Sequence, residues 1–168
     1  MVNFVRLWAC AVIVICYAHS GTLDASPSSN LDQCVDSATT RYWRADYGFT
    51  YEGGKDLVEA IVLVENGCGR AIRNRDRSID FGCMQINSSH LSELARYGIG
   101  PRELQFDNCQ NIMVGTWILF RELLKSRGDL WRAIGNYNTG SYNSINARIN
   151  RRYQLLVWSK LNYLWKNR

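Results

Sequence analysis

The chain has 168 residues, with 20 Lys and Arg against 15 Asp and Glu, a formal net charge of +5 and six cysteines. That length makes one domain the expectation. No C-x-x-C or H-x-x-x-H spacing occurs, which argues against a metal centre, and no nucleic-acid recognition motif accompanies the positive charge.

The first twenty residues read as a signal peptide. Arg6 precedes an uncharged apolar run from Leu7 to Ala18, and Ala18-His19-Ser20 supplies the small residues of a cleavage site after Ser20. The run is about twelve residues, against the roughly 20 a membrane-spanning helix needs. Cleavage there removes Cys10 and Cys16 and leaves Cys34, Cys68, Cys83 and Cys109, with His90 as the one remaining histidine. An even cysteine count in an exported chain points to disulfides, and four cysteines allow three pairings.

Residues 21–30 read as a loose N-terminal segment, and 31–168 as the folded domain. A helix is predicted over 32–46, with Val35, Ala38, Tyr42 and Ala45 on one face. Three glycines make 47–55 a predicted loop. Asp56 is the predicted cap of the next helix, whose apolar stripe is Leu57, Ala60, Ile61 and Val64. Gly67 and Gly69 stop that helix, so Glu65 falls in its last turn. Burial and the negative end of the helix dipole both raise a carboxyl pKa there, and a carboxylate held at such a cost marks a functional site.

Residues 70–78 form a polar loop with four arginines, suited equally to solvation and to an anionic substrate. Residues 79–87 read as an extended segment entering a turn. Ser88 or Ser89 caps a predicted helix to Tyr97, and a long apolar helix follows over 108–127. Asp129 caps a helix carrying Leu130, Trp131, Ala133 and Ile134. Ser141 is the predicted cap of a final helix from Tyr142 to Trp165, whose core face would be Ile145, Ile149, Tyr153, Leu156, Val157, Leu161 and Leu164. Tyr97, Trp117, Phe120 and Trp131 are assigned to packing, as are Trp158, Tyr163 and Trp165. From Arg121 onward there are ten Lys and Arg against two Asp and Glu, read as a solvated helix surface in preference to an anionic partner. The sum is a predominantly α-helical α+β domain of two lobes with a groove between them.

Glu65, Asp80, Gln85, Asn87, Tyr137 and Asn138 offer carboxylates, amides and a ring for one cleft, a mixture suited to carbohydrate. Glycoside cleavage needs an acid kept protonated near neutral pH and stabilisation of an oxocarbenium-like transition state. The sequence also carries A-x-x-x-x-E-x-G at 60–67, G-x-M-Q-I-N at 82–87 and Y-N-x-G at 137–140. In order and spacing these resemble the three signatures of lysozyme-like lytic transglycosylases. Within that group the chain is most similar to the small enzymes associated with type IV secretion and conjugation, type IV pili or type III secretion.

The resemblance implies a lysozyme-like fold and an exported, periplasmic, monomeric enzyme. Such an enzyme cleaves the β-1,4 bond between N-acetylmuramic acid and N-acetylglucosamine and opens the wall locally for a secretion, conjugation or pilus apparatus, whose components are the expected partners, without a cofactor. It implies Glu65 as the acid and later the base, Gln85 and Asn87 lining the sugar subsites with Met84 among the substrate-site residues but packing below them, and Tyr137 and Asn138 bracketing the acid. The family's E-S, G-L-M-Q and A-Y-N-A-G are here Glu65-Asn66, Gly82-Cys83-Met84-Gln85 and Asn136-Tyr137-Asn138-Thr139-Gly140. Residues 80–88 also resemble the segment of animal-type lysozymes that carries their second carboxylate. Asp80 is thus either a partner of Glu65, as in a hydrolytic muramidase, or a carboxylate that hydrogen-bonds its own loop. A weakly catalytic glycan-binding assembly factor is the reading from another class. The preferred disulfides are Cys34–Cys109, stapling the first helix to the long one, and Cys68–Cys83, closing the loop between the acid and Asp80.

Overall fold

A computed structural model describes residues 27–168 apart from Tyr142. The expected signal peptide and residues 21–26 lie outside the described residues. Pro27–Tyr42 forms α1, so residues 27–30 belong to a helix and not to a loose segment. Val35 and Ala38 of its predicted face are buried, whereas Ala45 falls in a separate 3-10 turn, Ala45–Tyr47, and is exposed.

The helix bearing the acid, α2, spans Tyr51–Glu65 and starts earlier than predicted. Its cap is Thr50, whose Oγ1 accepts from the Gly53 N–H at 3.1 Å. Gly53 and Gly54 lie inside the helix: α1 packs here, and a Cβ on Gly54 would stand 2.8 Å from the Trp43 ring. Asp56 is therefore not a cap. It is buried in mid-helix, where it accepts from Trp165 Nε1 at 2.8 Å and pairs with Arg168.

A three-stranded antiparallel sheet follows, β1 (Ala71–Arg73), β2 (Ile79–Phe81) and β3 (Ile86–Asn87), in the order β1-β2-β3. Its register sets Asp80 opposite Ile72 on one side and Asn87 on the other. The predicted helix after Ser88 is only the four-residue α3 (Leu91–Leu94) between 3-10 turns at Ser88–His90 and Ala95–Tyr97. A short helix not predicted, α4 (Pro101–Phe106), precedes the long central helix α5 (Asn108–Lys125), which Asp107 caps through the Gln110 N–H at 2.9 Å. α6 (Leu130–Thr139) is capped by Asp129 as expected.

The last helix, α7, is Ala147–Lys166. Tyr142, its expected first residue, lies outside the described residues, and the cap position is Asn146, not Ser141. The buried face is Asn150, Tyr153, Val157, Leu161 and Leu164, a 3-4-4-3 spacing. Ile145, Ile149 and Leu156, assigned to the core from sequence, are exposed because α2 and α6 cover only that narrower stripe. Tyr97, Trp131 and Tyr163 are likewise exposed. Trp131, Trp158 and Trp165 stack edge to face along α6 and α7, with ring centroids 5.8 and 5.7 Å apart.

α1, α4 and α6 pack on α5, and α2 and α6 pack on α7. Ile61, Met84, Ile112, Leu119 and Ile134 are among the fully buried side chains of this core. Disulfides join Cys34 to Cys109 and Cys68 to Cys83. Among the described residues, no helix is long and apolar enough to cross a membrane and no cluster of His, Cys, Asp and Glu could hold a metal ion.

Candidate active site

Glu65 is the last residue of α2. The chain leaves the helix through Asn66, a C-cap in the left-handed region at φ 45°, whose N–H bonds to the Val62 carbonyl at 2.9 Å. Asparagine tolerates that conformation better than most residues. Arg70 donates to the Asn66 carbonyl from the far side of the turn. Next comes Gly67, where a Cβ would stand 2.1 Å from Gln85 Nε2 and 2.4 Å from the Gly82 carbonyl. The missing side chain lets the 82–85 turn close directly on the end of the acid helix. Cys68–Cys83 locks the same two segments, closing a loop of sequence separation 15.

The Glu65 carboxyl is half-buried, and Tyr153 of α7 donates its hydroxyl to Oε1 at 2.5 Å. Burial pushes its pKa from 4.5 to about 7; the Tyr153 hydrogen bond pulls it down, and the charge of Asp80 pushes it up. The phenols of Tyr153 and Tyr137 are both raised well above the usual value, chiefly by burial and then by the Glu65 charge. Asp80 raises Tyr137 as well. Two carboxylates and two phenols therefore converge between the sheet and the α6–α7 pair.

Asp80 is tied down at both oxygens. Asn87 Nδ2 donates to Oδ1 at 2.7 Å across the β2–β3 pair, and Asn74 Nδ2 donates to Oδ2 at 2.8 Å from the β1–β2 hairpin. Ser78 Oγ accepts from both amides at 3.0 Å. Asn87 Oδ1 accepts from the Ser89 N–H at 2.9 Å, so this side chain is spent on the loop and its cap. Gln85 Nε2 donates within its own turn, to the Gly82 carbonyl at 2.8 Å.

Met84 packs beneath the turn and is wholly buried, because Gly115 of α5 lets it sink: a Cβ there would stand 2.4 Å from its sulfur. Its carbonyl accepts the Tyr137 hydroxyl at 2.8 Å, which links the turn to α6. Asn138, next on α6, is exposed. The departures at Asn136 and Thr139 face inward: Thr139 Oγ1 donates to Asn150 Oδ1 at 2.7 Å, stitching α6 to α7 one turn before Tyr153, and Asn136 is buried near Glu122.

Two residues were not assigned to the site from sequence. Tyr153 was read as core from its spacing; its signal is a hydroxyl on an otherwise apolar stripe, one turn after the equally buried Asn150. Asn111, fully buried in α5, donates to the Phe81 and Leu104 carbonyls at 2.8 Å each and accepts from the Met84 N–H at 2.7 Å. It pins β2, α4 and the 82–85 turn together, and nothing in the one-dimensional pattern announces it.

The family model for the transglycosylase SLT domain matches residues 45–155. The chain belongs to that family. Its members cleave glycosidic bonds of peptidoglycan, so this protein is a lytic transglycosylase acting on peptidoglycan, with the mainly helical lysozyme-like fold of the family. It is 34% identical over 133 residues to the invasion protein IagB of Salmonella typhimurium, covering 77% of this chain and 81% of the relative. A peptidoglycan-binding-like protein of Escherichia coli O157:H7 is 37% identical over 94 residues, covering 51% of this chain and 56% of the relative. An X polypeptide of Escherichia coli is 48% identical over 59 residues, covering 35% and 34%.

Proposed function

We propose that the enzyme cleaves the β-1,4 bond between N-acetylmuramic acid and N-acetylglucosamine, with Glu65 as the single catalytic acid and base. The observation that carries this reading is the Glu65 carboxyl itself, half-buried at a helix end, with a pKa raised to about 7 and one phenol on Oε1. A carboxyl so placed is protonated near neutral pH and can give its proton to the leaving oxygen. Once ionised, it takes the proton from the sugar's own 6-hydroxyl, which attacks the anomeric carbon and closes a 1,6-anhydro ring. Tyr153 orients the carboxyl through Oε1. Tyr137, fixed on the Met84 carbonyl, forms the opposite wall with Asn138 at its exposed edge.

Asp80 acts here as a fixed negative charge, since both oxygens already accept amide hydrogens. Its field adds to the burial that keeps Glu65 protonated, and stabilises positive charge on the opening sugar. A hydrolytic muramidase with Asp80 as direct partner is the second reading, favoured by the same field acting on Glu65. Export to the periplasm suits the two disulfides. Likeness to a protein named for invasion supports local wall opening for a surface apparatus. The test is digestion of purified sacculi by Glu65→Gln, which should release no soluble fragments while melting as a folded protein. Undiminished release would remove Glu65 from the mechanism.

A further inference from the structure

Ile149, Leu155, Leu156, Trp158, Tyr163 and Trp165 of α7 are large apolar side chains left between 43% and 59% exposed. They lie outside the stripe of Asn150, Tyr153, Val157, Leu161 and Leu164 that turns inward beneath α2 and α6. Trp131 of α6, itself exposed, meets Trp158 edge to face and carries the same surface onto the neighbouring helix. Trp165 is fixed at the other end by its Nε1 bond to Asp56. Apolar surface gathered in this way marks a face that meets something other than water.

The charge on this face has one sign. Arg148, Arg151, Arg152, Lys160 and Lys166 are exposed on α7, which contains no Asp or Glu. Among the described residues, no ion pair engages any of these five cations. α6 carries no acid either, and Asp56 and Glu59 of α2 are already taken by Arg168. The cations are interleaved with the apolar side chains turn by turn, whereas the core of a protein interface is depleted in charge and keeps its polar groups at the rim. Interleaving suits a bilayer surface, where aliphatic and indole groups enter the acyl boundary while Lys and Arg reach back to anionic headgroups. Sugar hydroxyls would match neither the aliphatic side chains nor the five cations.

We propose that the outer face of α7, extended by Trp131, docks on the surface of a bilayer that contains anionic lipids. The helix is not apolar enough to cross a membrane and so lies along it. Tyr153 points inward to Glu65 from the covered side of the same helix, so docking leaves the contacts of the carboxyl intact. The inference does not depend on which bond Glu65 cleaves.

The test is co-sedimentation of the whole protein with vesicles of mixed phosphatidylglycerol and phosphatidylethanolamine, against vesicles of phosphatidylcholine alone. Two variants accompany it, Arg148→Gln/Arg152→Gln/Lys160→Gln and Leu155→Ser/Leu156→Ser. Every substitution is on exposed positions, so both should melt as the wild type does, and since each keeps the rest of the chain, a loss of binding reports on α7. The expected result is saturable binding to the anionic vesicles that falls as salt rises and is at least about tenfold weaker for phosphatidylcholine. The charge variant should bind the anionic vesicles about a hundredfold more weakly, at roughly fivefold per cation, and the serine variant about tenfold more weakly. No binding to anionic vesicles, equal binding to phosphatidylcholine, or an undiminished charge or serine variant would overturn the proposal. So would retention by lipid-free sacculi alone through these cations, which would assign the face to the wall polymer.

Discussion

Replacing Glu65 by Gln should stabilise the fold, and by an amount that depends on pH in a defined way. Burial raises the Glu65 pKa to about 7 in the folded chain, against 4.5 as its ordinary value. Below the lower value the carboxyl is neutral in both states and costs nothing. Between the two values the unfolded chain ionises while the folded chain keeps its proton, so stability is lost as pH rises. Above the upper value both states are ionised and the full penalty stands, about 3 kcal/mol for that difference. Glutamine mimics the neutral carboxyl, can still accept from Tyr153 and never ionises. Thermal melts of the two proteins should coincide at about pH 4 and separate by about 6–12 °C in favour of Glu65→Gln at about pH 8. The comparison is between two proteins at each pH, so other titrating groups cancel. A gap that is the same at both pH values would refute the claim that Glu65 is held neutral by burial.

Three further outcomes follow from the same contacts. Tyr153→Phe removes the donor that favours ionised Glu65; the alkaline limb of the activity profile should move up by about 1–2 pH units, the equivalent of a hydrogen bond to a charged group. Asp80→Asn removes the charge that raises Glu65; sacculus turnover measured across pH should persist with its alkaline limb displaced downward, whereas loss of turnover at every pH would make Asp80 a direct participant. Asn111→Ala strands the Phe81 and Leu104 carbonyls and the Met84 N–H in the interior; urea unfolding should show a loss of at least ~3 kcal/mol, at about 1–3 kcal/mol per unsatisfied group.

What the sequence made legible is what local chemistry determines. Glu65 could be placed at a helix end because an apolar stripe runs up to it and Gly67 and Gly69 follow. Asp129 could be named as a cap because a short acceptor precedes a clear helical period, and α6 begins there. Asp56 looked equally good as a cap and was not one, since the choice between Thr50 and Asp56 rests on whether Gly53-Gly54 turns or packs. Trp43, the residue just after α1, decides that by packing against Gly54, a contact that no local window reveals. Met84 shows the same limit: the motif has it packing below the sugar subsites, but only the approach of Gly115 shows what receives its side chain. On α7, spacing identified the buried side at Tyr153, Val157, Leu161 and Leu164 but made it too wide, because the width of a buried stripe is set by the neighbours that cover it. Tyr153 was hidden for a related reason. A tyrosine at a core position reads as packing until α2 is seen to end with its carboxyl at that hydroxyl.

The intramolecular step is the centre of the account, and the masses of the fragments released from purified sacculi test it most directly. An enzyme that uses Glu65 to activate the sugar's own 6-hydroxyl should yield muramic ends uniformly one water lighter than reducing ends. Fragments carrying ordinary reducing ends would contradict it, placing a water molecule at the anomeric carbon and Asp80 in a direct role.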